Sequence, residues 1–189
     1  MSFYNVVLFF HISGAFTLFV GMGQEWVGIT RLNNSINQDQ ARDWAKFLSS
    51  LKFTYISGGI LLLITGIYLA AVRWGWTDWI IVSFLLWLYL VLHGALVTGR
   101  KVLKFSDSLN PKSEMHEAEL STQISKLKLL NLLQSRIAVG LGAIFIMCVK
   151  PKVTGSVIVV IIAFILGVLP LLTKGKTAAA NLTKIEGKN

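Results

Sequence analysis

Apolar residues fall in five blocks along this chain, at about 4–23, 54–72, 77–98, 135–149 and 153–173. Short polar segments separate them and hold most of the charge. A helix needs roughly 20 apolar residues to cross the hydrocarbon core of a bilayer, and it satisfies its own backbone polar groups there. The blocks predict an all-α, polytopic membrane helical bundle of about five transmembrane helices, a single domain over residues 1–189. The fourth block is short between Arg136 and Lys150. Extending it requires Arg136 to snorkel its charge to the interface.

The polar segments carry a helical pattern of their own. In "NQDQARDWAKFLSSLKF" (37–53), Ala41, Trp44, Ala45, Leu48 and Leu51 recur at helical spacing behind Asn37, a good N-cap. This predicts an interfacial or cytoplasmic helix leading into the second span. Asn110-Pro111 is a cap and first-turn pair that restarts a helix. Ile124, Leu127, Leu130, Gln134 and Ile137 then form one stripe, predicting a helix that climbs into span four. The connections "RWGWTD" (73–78) and "KPK" (150–152) are tight, so spans two and three pair antiparallel, as do four and five. The tail "NLTKIEGKN" is expected to fray. An odd span number argues against a simple inverted-repeat transporter.

Composition agrees, with 54% hydrophobic and 14% charged residues. The net charge of +9 raises nucleic acid as a partner, and its distribution removes it. With the N-terminus outside, fifteen Lys and Arg fall on the inner side; only Arg73, Lys150 and Lys152 fall outside. That is the positive-inside pattern of an N-out, C-in protein, with the lipid bilayer as partner. Cys148 is the one cysteine, so no internal disulfide forms. The first span lacks a basic leader and a nearby small-residue cleavage site, and is expected to be retained.

The chemistry starts at His11, inside the first span. Ionisable residues are costly in hydrocarbon, which makes function the default reading. Its helical face holds Val7, Gly14, Ala15, Leu18, Gly21 and Glu25. Gly14 and Ala15 leave space for something flat, and imidazole is a frequent axial ligand of haem b. The alternative is a neutral histidine bonded to a nearby carbonyl. His93 lies in the third span, about 12 Å deeper by the rise per residue, too far to share one iron without a helix offset. A structural hydrogen bond is the competing reading for it. Met147, nearer in depth, is a candidate sixth ligand, while a copper site from His, Met and Cys is weaker because no ligand spacing appears. Arg73, Lys150 and Lys152 can meet propionates at the outer interface. Glu25 is expected to pair with Arg100 or Arg136 and fix register. His116 reads as a solvated loop histidine, and Trp74, Trp76 and Trp79 as an aromatic belt. Gly58, Gly59 and Gly66 permit close helix packing.

"HISGAFTLFVGMGQEW", "RLNNSINQDQARDW", "TGIYLA" and "MCVKPKVTGS" together resemble a family of bacterial integral membrane proteins. More distantly, spans one and three are similar to the HemJ-type protoporphyrinogen oxidases and the CopD-like copper-resistance membrane proteins. A histidine early in span one matches His11, and "LHGALVTGRKVLKF" matches the basic segment after span three. The resemblance implies haem held between that histidine and a lysine of span three, which falls at or near Val82; this chain has no lysine there. Three readings follow. One is a haem b protein of the bacterial inner membrane with metal ligand His11 and an open or weakly filled sixth site for a gas or a redox role. The second is a porphyrin or quinone oxidoreductase of the HemJ kind, with an electron donor or quinone as partner. The third is a non-catalytic metal or small-molecule transporter, or an assembly subunit.

Overall fold

The computed structural model describes residues 2–109 and 116–168, and among these every regular element is a helix. In chain order they are α1 (Phe3–Asn33), α2 (Gln38–Ser50), α3 (Lys52–Leu69), α4 (Asp78–Leu92), α5 (Arg100–Ser108), α6 (Glu117–Leu127), α7 (Leu129–Val149) and α8 (Val153–Val168). Two π-helical segments, Ala70–Trp74 after α3 and His93–Gly99 after α4, widen the turn without ending the run. Four runs are long and apolar enough to cross a membrane: Phe3–Asn33, Gln38–Trp74, Asp78–Ser108 and Glu117–Val149. Their 31 to 37 residues reach about 46–55 Å at the α-helical rise, against about 30 Å of hydrocarbon. Phe9, Phe16, Ile60, Ile64, Leu85 and Phe145 stand exposed on their outer faces, a surface at home in lipid.

The element ends follow local chemistry. The Asn37 side chain accepts the Gln40 amide at 2.9 Å and starts α2, as its sequence position predicts. Gly75 turns the chain between the second and third runs at φ 65, in the left-handed region, and its amide bonds the Ala70 carbonyl at 2.7 Å. Lys128 also adopts positive φ and breaks the predicted climb into span four, separating α6 from α7. Helix α2 buries Ala41, Ala45 and Leu48 against protein and continues through Leu51 into α3. The Asn110-Pro111 pair, the tail "NLTKIEGKN" and the end of the fifth apolar block lie outside the described residues.

The two ends of the bundle differ. At the end carrying α2, α5 and α6, here the basic end, Ile29, Leu32, Ala45, Leu48, Val102, Phe105, Leu120, Ile124 and Leu133 form one core. Ile29, Leu32, Leu120 and Leu133 have no exposed surface, and full burial of such a side chain stabilises by about 1.5–3 kcal/mol. At the other end, which carries Trp74, Trp76 and Trp79, the helices pack as two pairs, α1 on α3 and α4 on α7. Gly14 and Gly58 set the first crossing. A Cβ on Gly14 would stand 3.1 Å from the Leu62 amide nitrogen, and one on Gly58 3.2 Å from the Gly14 carbonyl. Gly14→Val should therefore overpack the crossing and cost about 1–3 kcal/mol. Thermal unfolding in detergent checks this, with Gly23→Ala, which has nothing within 4 Å of its added carbon, leaving the midpoint unchanged or slightly raised.

Candidate functional site

Two polar centres interrupt the apolar interior, and α1 contributes to both. Glu25, six helical turns along α1, is 4% exposed and Arg136 on α7 is 3% exposed. Arg136 Nη2 and the Tyr55 hydroxyl of α3 both donate to Glu25 Oε2, and the Arg136 guanidinium lies 5.5 Å from the Tyr55 ring centre. Of the two partners the sequence offers Glu25, the structure uses Arg136. Arg136 does not snorkel; it points inward to the carboxylate, because a paired charge inside costs less than an unpaired one. The guanidinium also reaches the π-helical segment of the third run, where Nη1 comes within 2.8 Å of where a Gly94 Cβ would be. This centre joins α1, α3 and α7 and abuts the third run.

The second centre is a chamber of about 340 Å³ between the two helix pairs at the tryptophan end. His11, Ala15 and Leu18 line it from α1, Leu62 and Gly66 from α3, Trp79, Ser83, Phe84 and Trp87 from α4, and Ala143, Ile144 and Met147 from α7. Trp74, Trp76 and Lys150 stand at its end. Ile67 and Ile144 line it and are also exposed on the outer apolar surface of the bundle.

His11 is held by α3. Its Cε1 would lie 3.2 Å from a Cβ on Gly66, so a larger residue there would press the ring aside by a few tenths of an ångström. Its Nδ1 is 3.0 Å from Thr65 Oγ1. The Thr65 hydroxyl has one proton and gives it to the Leu61 carbonyl at 2.5 Å, so Thr65 can only accept from the imidazole. That assigns the proton to Nδ1 and leaves Nε2 as the lone-pair nitrogen of a ring bordering the chamber. On the α4 side, Ser83 Oγ and Trp87 Nε1 are buried without a hydrogen-bond partner. They are four residues apart and share one helix face.

The other predicted residues are distributed as follows. Ala15 and Met147 border the chamber with His11. Gly14 does not; it serves the α1–α3 crossing, so the expected space beside His11 comes from Ala15 and Gly66 instead. Arg73 lies over the Tyr4 ring at 5.1 Å and the Trp74 ring at 5.9 Å, outside the chamber lining. Lys150 sits 3.9 Å from the Trp74 ring centre. Val82 packs in an apolar cluster with Leu86, Val139 and Ile146. His93 is not brought to His11. It opens the π-helical segment, tilts against Tyr89 at 5.3 Å, and its Nδ1 has no partner. Among the described residues, no group of three His, Cys, Asp or Glu could hold a metal ion. Sequence reasoning missed Thr65, Ser83, Trp87 and Tyr55. Ser83 carried a signal, as the only hydroxyl other than Tyr89 in the apolar run "WIIVSFLLWLYLVL".

The fold and site define an all-helical protein with four helices able to cross a membrane and a ligand-sized chamber at one end. No family model, no curated protein and no solved structure matches the chain, so its chemistry is argued from its own residues.

Removing one partner of the buried pair leaves the other charge uncompensated, at a cost of about 3–5 kcal/mol. Glu25→Gln should therefore lower the unfolding midpoint far more than Tyr55→Phe, which loses one hydrogen bond to a charged group, about 1.5–3 kcal/mol. Thermal melts of the purified variants check the order; equal midpoints for Glu25→Gln and wild type would remove the structural role.

Proposed function

We propose that the protein is a membrane protein that binds a flat, conjugated, redox-active ring in the chamber, with His11 as its polar contact and haem b as the occupant named by the imidazole chemistry. One observation carries the reading: Thr65 ties up His11 Nδ1, which leaves Nε2 with a free lone pair. A partner on the far ring nitrogen that fixes the tautomer is the usual arrangement behind a ligating histidine. The donor set suits haem. Its iron takes one nitrogen from the chain, so His11 suffices, and Met147 borders the same chamber as a candidate second ligand; a macrocycle larger than about 340 Å³ would extend out beside Ile67 and Ile144. Bound haem would supply one-electron or gas-binding chemistry. Lys150 would supply a cation for its carboxylates and Ala15 the clearance beside the imidazole. Arg73 belongs to the same end of the bundle. His93 has no part in this site.

The topology proposed with it has five spans, N-out and C-in, in a bacterial cytoplasmic membrane. Its support is the inner excess of Lys and Arg. A reporter fused after Asn189 should stay cytoplasmic, and one inserted in the 73–78 turn should be exported. The opposite pattern would reverse the orientation.

Purified protein should show a Soret band that shifts on reduction. His11→Ala should lose it and His93→Ala should keep it. Haem retained in His11→Ala, or a low-spin bis-histidine spectrum, would sink the assignment.

A further inference from the structure

The third run, Asp78–Ser108, is the one least held by its neighbours. Buried residues make up 11% of its apolar stretch, against 22%, 28% and 33% in the other three. A paired charge pins α1 to α7, and Tyr55 adds α3, but α4 contributes no hydrogen bond to that centre. Its own buried polar atoms, Ser83 Oγ and Trp87 Nε1, have no partner, nor have His93 Nδ1 and Thr98 Oγ1 further along the run. Among the described residues, the unpartnered buried side-chain atoms outside this run are Gln134 Oε1 and Arg136 Nε. Buried polar groups normally find partners, so a run that carries four without one is not fixed in rotation by its polar side chains. No apolar face fixes it either. The stretch "WIIVSFLLWLYLVL" is apolar on every side, and lipid solvates such a surface as well as α7 does.

The two halves of the run differ in anchorage. Helix α5 buries Val102 and Phe105 in the basic-end core, and Lys101 Nζ donates to the Leu127 carbonyl at 3.0 Å. Just past its end, the Leu109 carbonyl accepts from Arg42 Nη2 at 3.1 Å. Helix α4 packs chiefly on α7, and the chamber lies between it and the α1–α3 pair. The π-helical segment His93–Gly99 joins the halves. Its turn holds one residue more than an α-turn, and such bulges are frequent at functional sites. Gly99 closes over Gly94 across the widened turn, where a Cβ on Gly99 would stand 3.3 Å from the Gly94 carbonyl oxygen.

We infer that this segment is a rotary switch: winding it into α-helix turns α4 against the anchored α5 and re-lines the chamber. Absorbing one residue rotates α4 by about 100°, the angle of one α-helical residue. Each α4 residue then takes the place of the one before it. The places of Trp79, Ser83 and Trp87 in the chamber wall pass to Ile80, Phe84 and Leu88. The wall loses two indoles and a hydroxyl and gains aliphatic surface. Because α4 is apolar all round, both settings can pack on α7. The setting of this structure presents the flat indoles, so the switch decides whether a ring in the chamber meets them. That purpose rests on the ring-site reading; the rotation does not.

The rotation is read without a ligand. Spin labels go on Leu85→Cys of α4 and Ile64→Cys of α3, both exposed, in a Cys148→Ser background. Distances are measured by double electron–electron resonance in nanodiscs. A surface point about 5–6 Å from the helix axis moves about 8 Å on such a rotation. Two distance populations are expected. Deleting Ala95 removes the extra residue while leaving both halves in their present setting, and should leave one population. Gly99→Ala crowds the widened turn and should enlarge the second population about threefold, within the α-helical preference of Ala over Gly. One population in both the parent and Gly99→Ala overturns the inference. So does a second population that Gly99→Ala leaves unchanged, or one that persists in the deletion variant. If the deletion variant does not fold, the Gly99→Ala comparison decides alone. Failure of the rotation leaves the ring-site reading standing, and absence of a Soret band leaves the rotation standing.

Discussion

A single buried carboxylate holds this bundle together. Glu25 receives hydrogen bonds from α3 and α7 on one oxygen, and the guanidinium that satisfies it also abuts the third run. In an environment that solvates charge poorly, neither Glu25 nor Arg136 can part from the other without stranding an ion. Hydrophobic contact gives little orientation between helices that lipid solvates as well as their neighbours do. The ion pair supplies the missing directionality. It fixes which turns of α1, α3 and α7 face one another, and the apolar core at the basic end packs around that alignment.

The consequence for the other end follows from geometry. With register set at Glu25, the helices leave the pair as two couples, α1 with α3 and α4 with α7, and between them lies the chamber. Glycines close the first couple tightly at Gly14 and Gly58. Large indoles fill the space on the α4 side without closing it. Among the described residues, the large apolar core lies at the basic end and the chamber at the tryptophan end, and His11 belongs to the chamber. Its ring packs against Gly66 and its Nδ1 bonds Thr65, which holds the imidazole in one orientation.

Much of this was legible in the chain. The helical class and the Asn37 cap followed from spacing, because helical periodicity fixes what shares a face, and Arg136 was one of the two partners the sequence offered Glu25. What stayed hidden depended on rotation between helices, which no single-helix pattern contains. Gly14 sits on the His11 face, yet the rotation of α1 gives it to the α3 crossing. Arg136 looked like an interfacial charge because its partner is more than a hundred residues away. Thr65 could not be matched to His11 because the two lie on different helices. The break at Lys128 was invisible because lysine has no preference for positive φ.

Lys150 closes α7 in the left-handed region, where a glycine would rest without strain. The chain keeps a lysine there and holds its ammonium 3.9 Å from the Trp74 ring centre at the chamber's end. Backbone comfort and cation placement therefore pull against each other at this one position. A glycine would relax the helix terminus and leave Trp74 with Arg73 alone for a cation. Stability and site chemistry meet as a trade-off in a single residue, which makes position 150 the place where selection for a firmer fold and selection for a working chamber would choose different amino acids.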